Sequence, residues 1–128
     1  MSYTDSIGVQ YKSAEGTITN TTENFTGDAH EGVDTTVPPA TTDQVEGCSV
    51  DVSKIVSCCL FSAVALTVKT YAAGVLKDTI ALLAGKQIVW TNTSPYANPF
   101  TVDFDTIKLT NADVSKSTNF KARFLLSD

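Results

Sequence analysis

Short runs in which apolar and polar residues alternate fill the second half of the chain, and they restrict its fold more than any other feature. In the last run, "FKARFLL", the apolar residues recur at every second position: Phe120, Ala122, Phe124 and Leu126. Side chains of a β-strand point alternately to its two faces, so such a run predicts a strand with one face in a core. Strand-favouring Thr and Val are frequent, and charged residues make up only 18% of the chain. We therefore predict an all-β protein.

About six such strands are predicted after residue 50, at intervals of roughly 8–15 residues. They are residues 52–62, 65–71, 79–84, 87–92, 100–109 and 120–126. The stretch "DTIALLAGKQIVWTNTSPY", residues 78–96, predicts two of these strands joined by a tight hairpin turn at Gly85-Lys86. A helix over residues 73–84 is the alternative, because Ala, Leu and Lys favour helices, but Gly74 opposes it. The alternation changes phase at Asp105-Thr106, which predicts a bulge or bend there.

This spacing of strands is typical of an antiparallel β-sandwich or a jelly roll, and we expect a single domain of that class. Residues 47–128 are predicted to form the sandwich, and residues 1–46 an extended polar N-terminal arm with edge strands. Pro38-Pro39 excludes a helix or a central strand, so at most an edge strand is expected at residues 30–37. Residues 1–14 are polar with isolated apolar side chains, and we expect them to become ordered only against a partner.

Charge is distributed unevenly along the chain, whose net charge is −5. Residues 1–52 hold nine acidic residues and one lysine, a net −8, while residues 53–128 hold eight basic and five acidic residues, a net +3. Two interpretations stay open: solvated loops with no special role, or an acidic N-terminal part that docks on a basic surface of its own domain or of another copy. Lys and Arg form no cluster, so nucleic-acid binding through phosphate neutralisation is not expected.

Targeting and membrane signals are missing from the sequence. The first residues, "MSYTDSIGVQYKSAEG", lack the basic start and apolar centre of a signal peptide. The longest apolar run, "CCLFSAVAL", has the length of a core strand and is too short to cross a membrane. We therefore expect a protein made in the cytoplasm, with no membrane partner.

Residues suited to catalysis are few. His30, the only histidine, lies in the acidic, Gly-flanked "DAHEG", and no nucleophile motif accompanies it, so we expect an exposed loop or edge residue. Asp103 and Asp105 would share one strand face about 7 Å apart, near the separation of glycosidase carboxylates, but any solvated strand face shows this spacing. A small hydrolase using the two aspartates is therefore a third hypothesis. Our expectation is a protein without enzyme activity or cofactor.

The cysteines do not indicate a metal site. Cys48, Cys58 and Cys59, with a single histidine, lack the ligand number and spacing of a zinc site, so no bound metal is expected. Cys58 and Cys59 would point to opposite faces of a strand. We interpret all three as small buried apolar side chains, with a disulfide from Cys48 to Cys58 or Cys59 as the alternative.

Aromatic residues support a second functional hypothesis. Trp90, Tyr71 and Tyr96 could form a sugar-stacking platform, as in carbohydrate-binding β-sandwiches. The other interpretation is that Trp90 shares a face with Ile88 and packs in the core. A binding platform requires several exposed rings in one plane, which sequence does not reveal.

Three segments carry a resemblance to a known family: "DVSKIVSCCLFSAVALTVKT", "DTIALLAGKQIVWT" and "DFDTIKLTNADVSKSTNFKARFLL". Similar proteins from phages and prophage regions have a strand ending in LT-x-K-T, a D-T-I-x-L-x-A-G hairpin leading into an apolar strand with Trp, and a final x-F-K-A-R-x-L-L strand. Through these segments, residues 51–126 resemble small structural proteins of tailed-bacteriophage particles. The motifs hold no catalytic residue.

The resemblance implies a structural virion protein, namely a capsid decoration protein or minor capsid component. Its expected partners are other copies of itself and the major capsid protein, and its expected location is the virion. A carbohydrate-binding module is the alternative function. The candidate interaction surface consists of Tyr3, Ile7, Tyr11, Trp90 and Tyr96.

Overall fold

The structure is a computed structural model that describes residues 2–127. The outermost positions of the predicted arm and domain, 1 and 128, lie outside the described residues. Ten strands form across the described chain: β1 (Tyr3–Ser13), β2 (Gly16–Gly27), β3 (Ala29–Val37), β4 (Thr41–Val50), β5 (Ile55–Phe61), β6 (Leu66–Ala72), β7 (Val75–Leu82), β8 (Ile88–Thr91), β9 (Phe104–Asn111) and β10 (Thr118–Leu126). A single 3-10 turn, Val52–Lys54, leads into β5.

Eight of these strands form a two-sheet sandwich. One sheet has the order β3-β10-β5-β8 and the other β4-β9-β6-β7, and neighbouring strands are antiparallel. Strands β1 and β2 pair only with each other. The predicted class, a single-domain antiparallel β-sandwich, is confirmed.

The core lies between the two sheets and is centred on three phenylalanines. The rings of Phe100, Phe104 and Phe124 have centroids 5.2–5.7 Å apart, and two of the three contacts are edge-to-face, an arrangement that aromatic quadrupoles favour. In β10 the predicted inner face is confirmed, because Phe120, Ala122 and Phe124 are all buried.

The predicted hairpin at Gly85-Lys86 is wrong. Strand β7 pairs with β6 in one sheet, whereas β8 pairs with β5 in the other, so residues 83–87 cross between the sheets. The Gly85 amide marks the crossing, where it donates to the Ser62 carbonyl at 2.9 Å. Both strands direct apolar side chains into the same core, so their alternation does not distinguish a hairpin from a crossing.

Within residues 73–84 the chain forms a turn followed by strand β7 (Val75–Leu82), so the helical alternative is wrong. Ala73 and Gly74 form a two-residue turn between β6 and β7 with φ angles of 50° and 78°. Two consecutive positive φ angles are typical of the turn that matches the twist of a β-hairpin. The true hairpin therefore lies one strand earlier than predicted.

The predicted bulge near Asp105-Thr106 lies in the neighbouring strand. In the pairing of β4 with β9, Gly47 faces Thr106 and Val50 faces Phe104, so the extra residue belongs to β4. The pairing of β9 with β6 is regular from Thr106 to Thr110. Residues 100–103 precede the strand, which begins at Phe104 rather than at the predicted residue 100.

The N-terminal region is ordered within the chain. Residues 3–13 form β1 and pair along their whole length with β2, so the expectation that residues 1–14 need an outside partner to become ordered is wrong. Strand β3 is an edge strand, as predicted for residues 30–37, and β4 is the edge of the other sheet. The predicted boundary between residues 46 and 47 falls inside β4.

All three cysteines are free; Cys48 and Cys58 are buried, as predicted, but Cys59 is exposed on the outer face of β5. Burial raises the pKa of the Cys48 and Cys58 thiols to about 12, and partial desolvation raises the pKa of Cys59. Because the thiolate is the reactive form, the buried thiols are protected both sterically and by protonation.

We expect Ellman's reagent at about pH 8 to label one thiol per folded chain, Cys59, and all three thiols after denaturation. Peptide mapping of the labelled protein identifies the site. Rapid labelling of Cys48 or Cys58 in the native protein would contradict the sandwich described here.

Candidate interaction surface

The β1–β2 hairpin is amphipathic along its length. The cross-strand pairs Asp5–Phe25, Ile7–Glu23, Val9–Thr21 and Tyr11–Thr19 lie on one side, which holds the large apolar residues. The alternate positions form a polar side: Thr4, Ser6, Gln10, Asn20, Thr22, Asn24 and Thr26. Side chains of paired strands alternate between two faces, so this separation follows directly from the register.

The base of the hairpin lies against the outer face of the sheet that contains β10. Leu125 points outward from that sheet and is nevertheless fully buried. Gly27 passes so close to β10 that a Cβ there would lie 2.5 Å from the Leu126 carbonyl oxygen. The Tyr3 ring packs on the His30 ring at 4.5 Å, and His30 Nε2 lies 3.0 Å from both carboxylate oxygens of Asp5.

The far end of the hairpin is not covered by the rest of the described chain. Every residue from Gly8 to Ile18 is exposed. Val9, Tyr11 and Ile18 are 53%, 58% and 72% exposed, although they are large apolar side chains. An isolated two-stranded hairpin is marginally stable in water, so an apolar face left open on one is a candidate contact surface.

A groove of about 310 Å³ separates the hairpin from β8 and the loop that follows it. Its hairpin wall includes Ile7, Val9 and Phe25, and its opposite wall includes Val89 and Tyr96. Tyr96 is 79% exposed. The groove is therefore continuous with the uncovered apolar face of the hairpin.

The structure places the five predicted surface residues differently. Ile7 and Tyr96 both line the groove, Ile7 from the hairpin and Tyr96 from the loop after β8. Tyr3 lies at the hairpin base and Tyr11 near its tip. Trp90 points inward and packs against the core, and its Nε1–H donates to the Tyr96 carbonyl at 2.8 Å, so it holds the groove wall in place without lining the groove.

Phe25 and Val89 line the groove, and Leu125 is buried under the hairpin base, but none of the three was predicted from the sequence. Leu125 alternates in phase with Lys121 and Arg123, which indicates a solvent-facing position. Phe25 is the single large apolar residue in a Thr-rich stretch. The one signal that could have found both is an apolar residue that breaks an otherwise polar face.

The two aspartates proposed for a hydrolase both accept hydrogen bonds from backbone amides. Asp103 accepts from the Val52 amide at 2.8 Å, and Asp105 accepts from the Ala73 amide at 3.1 Å. The Ala73 amide and the Thr106 hydroxyl hold the pKa of Asp105 below its usual range. Both carboxylates therefore stabilise loops, and an ionised, backbone-bound Asp105 is poorly suited to act as a general acid.

Asp5, His30 and Ser57 line one depression beside the hairpin, yet they do not form a nucleophile–base pair. His30 and Ser57 both pair with Leu125, one on each side of β10. Two strand spacings, about 9.6 Å, therefore separate their backbones, with the Leu125 side chain between them. Transfer of a proton from Ser57 to His30 would require contact within about 3.2 Å.

The three rings of the sugar-platform hypothesis do not share a plane. Tyr71 lies on the other sheet beneath the Lys108 ammonium group, whose Nζ is 4.2 Å from the ring centroid. Trp90 points into the sandwich, so Tyr96 is the one exposed ring of the three beside the groove.

The described residues contain no group of three or more His, Cys, Asp or Glu side chains placed to hold a metal ion. In the described part of the chain, no helix is long and apolar enough to span a membrane.

Comparisons with known proteins show no family membership. No protein-family model matches the chain, and no curated protein matches it with statistical significance. Among solved structures, a chain from work described as "Bacillus endospore appendages form a novel family of disulfide-linked pili" is similar, with 15% identity and a TM-score of 0.39. The similarity covers 77% of this chain and 88% of that one.

Proposed function

We propose that this protein is a non-enzymatic structural component of a virus particle, one that associates with other copies of itself and binds the major capsid protein. The proposal combines the resemblance of residues 51–126 to phage structural proteins with the form of the hairpin. The virion is then its location, as a decoration or minor capsid component.

The observation that carries the proposal is the uncovered apolar side of the hairpin. Toward the tip of the hairpin, Val9 and Tyr11 continue the row of apolar side chains that the sandwich covers at the hairpin base. More than half of each of these two side chains is exposed. Exposed apolar surface that continues a buried row is typical of a protein–protein contact. A catalytic protein would instead need converging reactive groups in a cleft.

The chemistry of the acidic residues is consistent with this role. Asp51, Asp105 and Asp113 have pKa values below the usual range because hydrogen bonds, first of all from Ser53, Ala73 and Ser115 respectively, stabilise their ionised forms. In its ionised form, each therefore stabilises a turn or loop.

The experiment is gradient sedimentation of particles from cells that express an epitope-tagged chain together with the capsid genes. We expect the tag to co-sediment with intact particles, and to stay at the top of the gradient when the capsid protein is omitted. A chain that never enters the particle fraction, while a glycan array shows saturable binding, would contradict the proposal in favour of the carbohydrate-binding alternative.

A further inference from the structure

We propose that the depression beside the hairpin is a binding site for a small organic carboxylate. The depression has a volume of about 320 Å³ and lies between β1 and the outer face of the sheet that contains β10. Arg123 and Ser57 bind the carboxylate group of the ligand, and Ile7 contacts its apolar part. The site goes beyond the structural role proposed above and does not depend on it.

Four strands contribute side chains to the depression. They are Asp5 and Ile7 of β1, His30 of β3, Ser57 and Cys59 of β5, and Arg123 of β10. Directly paired residues share a face of a sheet, and Arg123 pairs with Cys59 while Ser57 and His30 both pair with Leu125. The side chains from β3, β5 and β10 therefore point outward from the same sheet, toward β1.

Ser57 provides the first indication of a ligand. Only 4% of this residue is exposed, yet none of the hydrogen bonds within residues 2–127 involves its hydroxyl. In the same part of the chain, every fully enclosed side-chain nitrogen or oxygen has a hydrogen-bond partner. The Ser57 hydroxyl therefore opens onto the depression, where it can donate to a bound molecule. A hydroxyl removed from bulk water without a partner costs free energy, and a hydrogen bond to a ligand offsets that cost.

Arg123 provides the positive charge. Among the residues that the structure describes, its guanidinium group has neither an ion-pair nor a hydrogen-bond partner. Its side chain lies over Gly32, where an added Cβ would be 3.4 Å from the Arg123 Nε, so the lack of a side chain at Gly32 makes room for it. A guanidinium group presents parallel N–H donors that match the two oxygens of a carboxylate. An unpaired guanidinium and an unpaired hydroxyl in one depression therefore suit a carboxylate.

The other charged groups in the depression favour a ligand with a single negative charge. His30 Nε2 lies 3.0 Å from both carboxylate oxygens of Asp5, so these two side chains bind each other. Of the described side chains that line the depression, Arg123 is the one cation without a partner. The Asp5 carboxylate repels a second negative charge. A monocarboxylate is therefore favoured over a phosphate or sulfate dianion.

The size and the apolar wall of the depression restrict the ligand further. A volume of about 320 Å³ corresponds to roughly ten water molecules and is at the small end of ligand pockets. Ile7 points into it from the hairpin and offers contact to a short hydrocarbon chain. Butyrate, which joins a carboxylate to such a chain, is therefore a suitable probe.

Two-dimensional amide NMR of the full chain, titrated with sodium butyrate and compared with NaCl at equal ionic strength, tests the inference. We expect saturable shifts of the Ser57, Cys59 and Arg123 amide signals, with a Kd of about 1 mM for a ligand of this size. Butyramide has nearly the same shape without the charge, and inorganic phosphate has the charge without the chain. Each is expected to bind at least about tenfold more weakly than butyrate.

Arg123→Gln is expected to weaken butyrate binding about tenfold or more, because it removes the cation of the site. Arg123 is exposed, so the variant should fold, and circular dichroism verifies that it does. Lys121→Gln is the matched control. Lys121 points to the same side of β10, opposite Asp34, but does not line the depression, and no effect on butyrate binding is expected.

Ser57→Ala separates a binding role from a structural one. We expect butyrate binding to weaken about tenfold, because the bound carboxylate loses a hydrogen bond. The free energy of unfolding should not fall, since the Ser57 hydroxyl has no partner among the described residues of the free protein. A structural role for Ser57 would lower stability and leave the affinity for butyrate unchanged.

Three results would overturn the inference: no saturable shift with butyrate, equal butyrate affinity in the wild type and Arg123→Gln, or butyrate binding no tighter than that of butyramide or phosphate. None of them bears on the proposed structural role, which particle sedimentation tests separately.

Discussion

Phe124→Ala is expected to lower the free energy of unfolding by about 3–5 kcal/mol, the largest effect we expect of a single substitution. The Phe124 side chain is fully buried, and its ring contacts both Phe100 and Phe104, with centroids 5.2 and 5.7 Å away. Truncation removes the apolar surface of one ring from the core and leaves a cavity that two other rings border. The central strand β10 cannot collapse into that space, because β3 and β5 hold it on both sides.

Urea denaturation followed by the fluorescence of Trp90, the single tryptophan, measures this loss. Phe61→Ala is the control, because it makes the same change at a ring that is 38% exposed on the outer face of β5. A change of about 1 kcal/mol or less is expected there. Phe124→Leu leaves a smaller cavity and keeps the comparison measurable should the alanine variant not fold. An equal loss of unfolding free energy in Phe61→Ala and Phe124→Ala would show that Phe124 is not at the centre of the core.

Leu125→Ala is expected to lower the free energy of unfolding by about 2–3 kcal/mol and to loosen the hairpin from the sandwich. Leu125 is fully buried although it points away from the sheet interior, because the hairpin base covers it. The expected loss is at the lower end of the range for buried leucines, since the hairpin can shift toward the space that truncation leaves.

Hydrogen exchange distinguishes this effect from general destabilisation. Amides of β1 and β2 are expected to exchange faster in Leu125→Ala, while those of β6 and β9, in the opposite sheet, change only with global stability. Leu83→Ala is the matched control, since that leucine is 63% exposed in the crossing between the sheets, and a change within about 0.5 kcal/mol is expected. Unchanged exchange in the hairpin would show that Leu125 does not hold it.

The positions of strands were predictable because alternation is a local property. In β10 the buried positions follow the phase of "FKARFLL", and the phase change before Ile107 corresponds to a real irregularity in the pairing of β4 with β9. The edge position of β3 was equally predictable, since Pro38-Pro39 lacks the amide hydrogens that a central strand needs. In each case, the residues that decide the outcome lie within a few positions of one another.

Pairing was not predictable in the same way. Strands β7 and β8 have the alternation of a hairpin, yet each completes a different sheet. The predicted interaction residues likewise include Trp90, which points inward, and omit Phe25, which lines the groove with Ile7. Alternation predicts that a strand has one buried face, but it does not predict which strand pairs with it.

By itself, the sequence determined that this chain makes strands, where most of them lie and which of their faces are apolar. These properties depend on steric preferences and on side-chain periodicity, which act between near neighbours. Only the tertiary structure decided that residues 3–27 form a separate hairpin, that this hairpin covers Leu125 and that it leaves Val9 and Tyr11 open. Those outcomes depend on which apolar surfaces, distant in the sequence, bury each other. The free energy of this burial is gained only when the whole chain is packed.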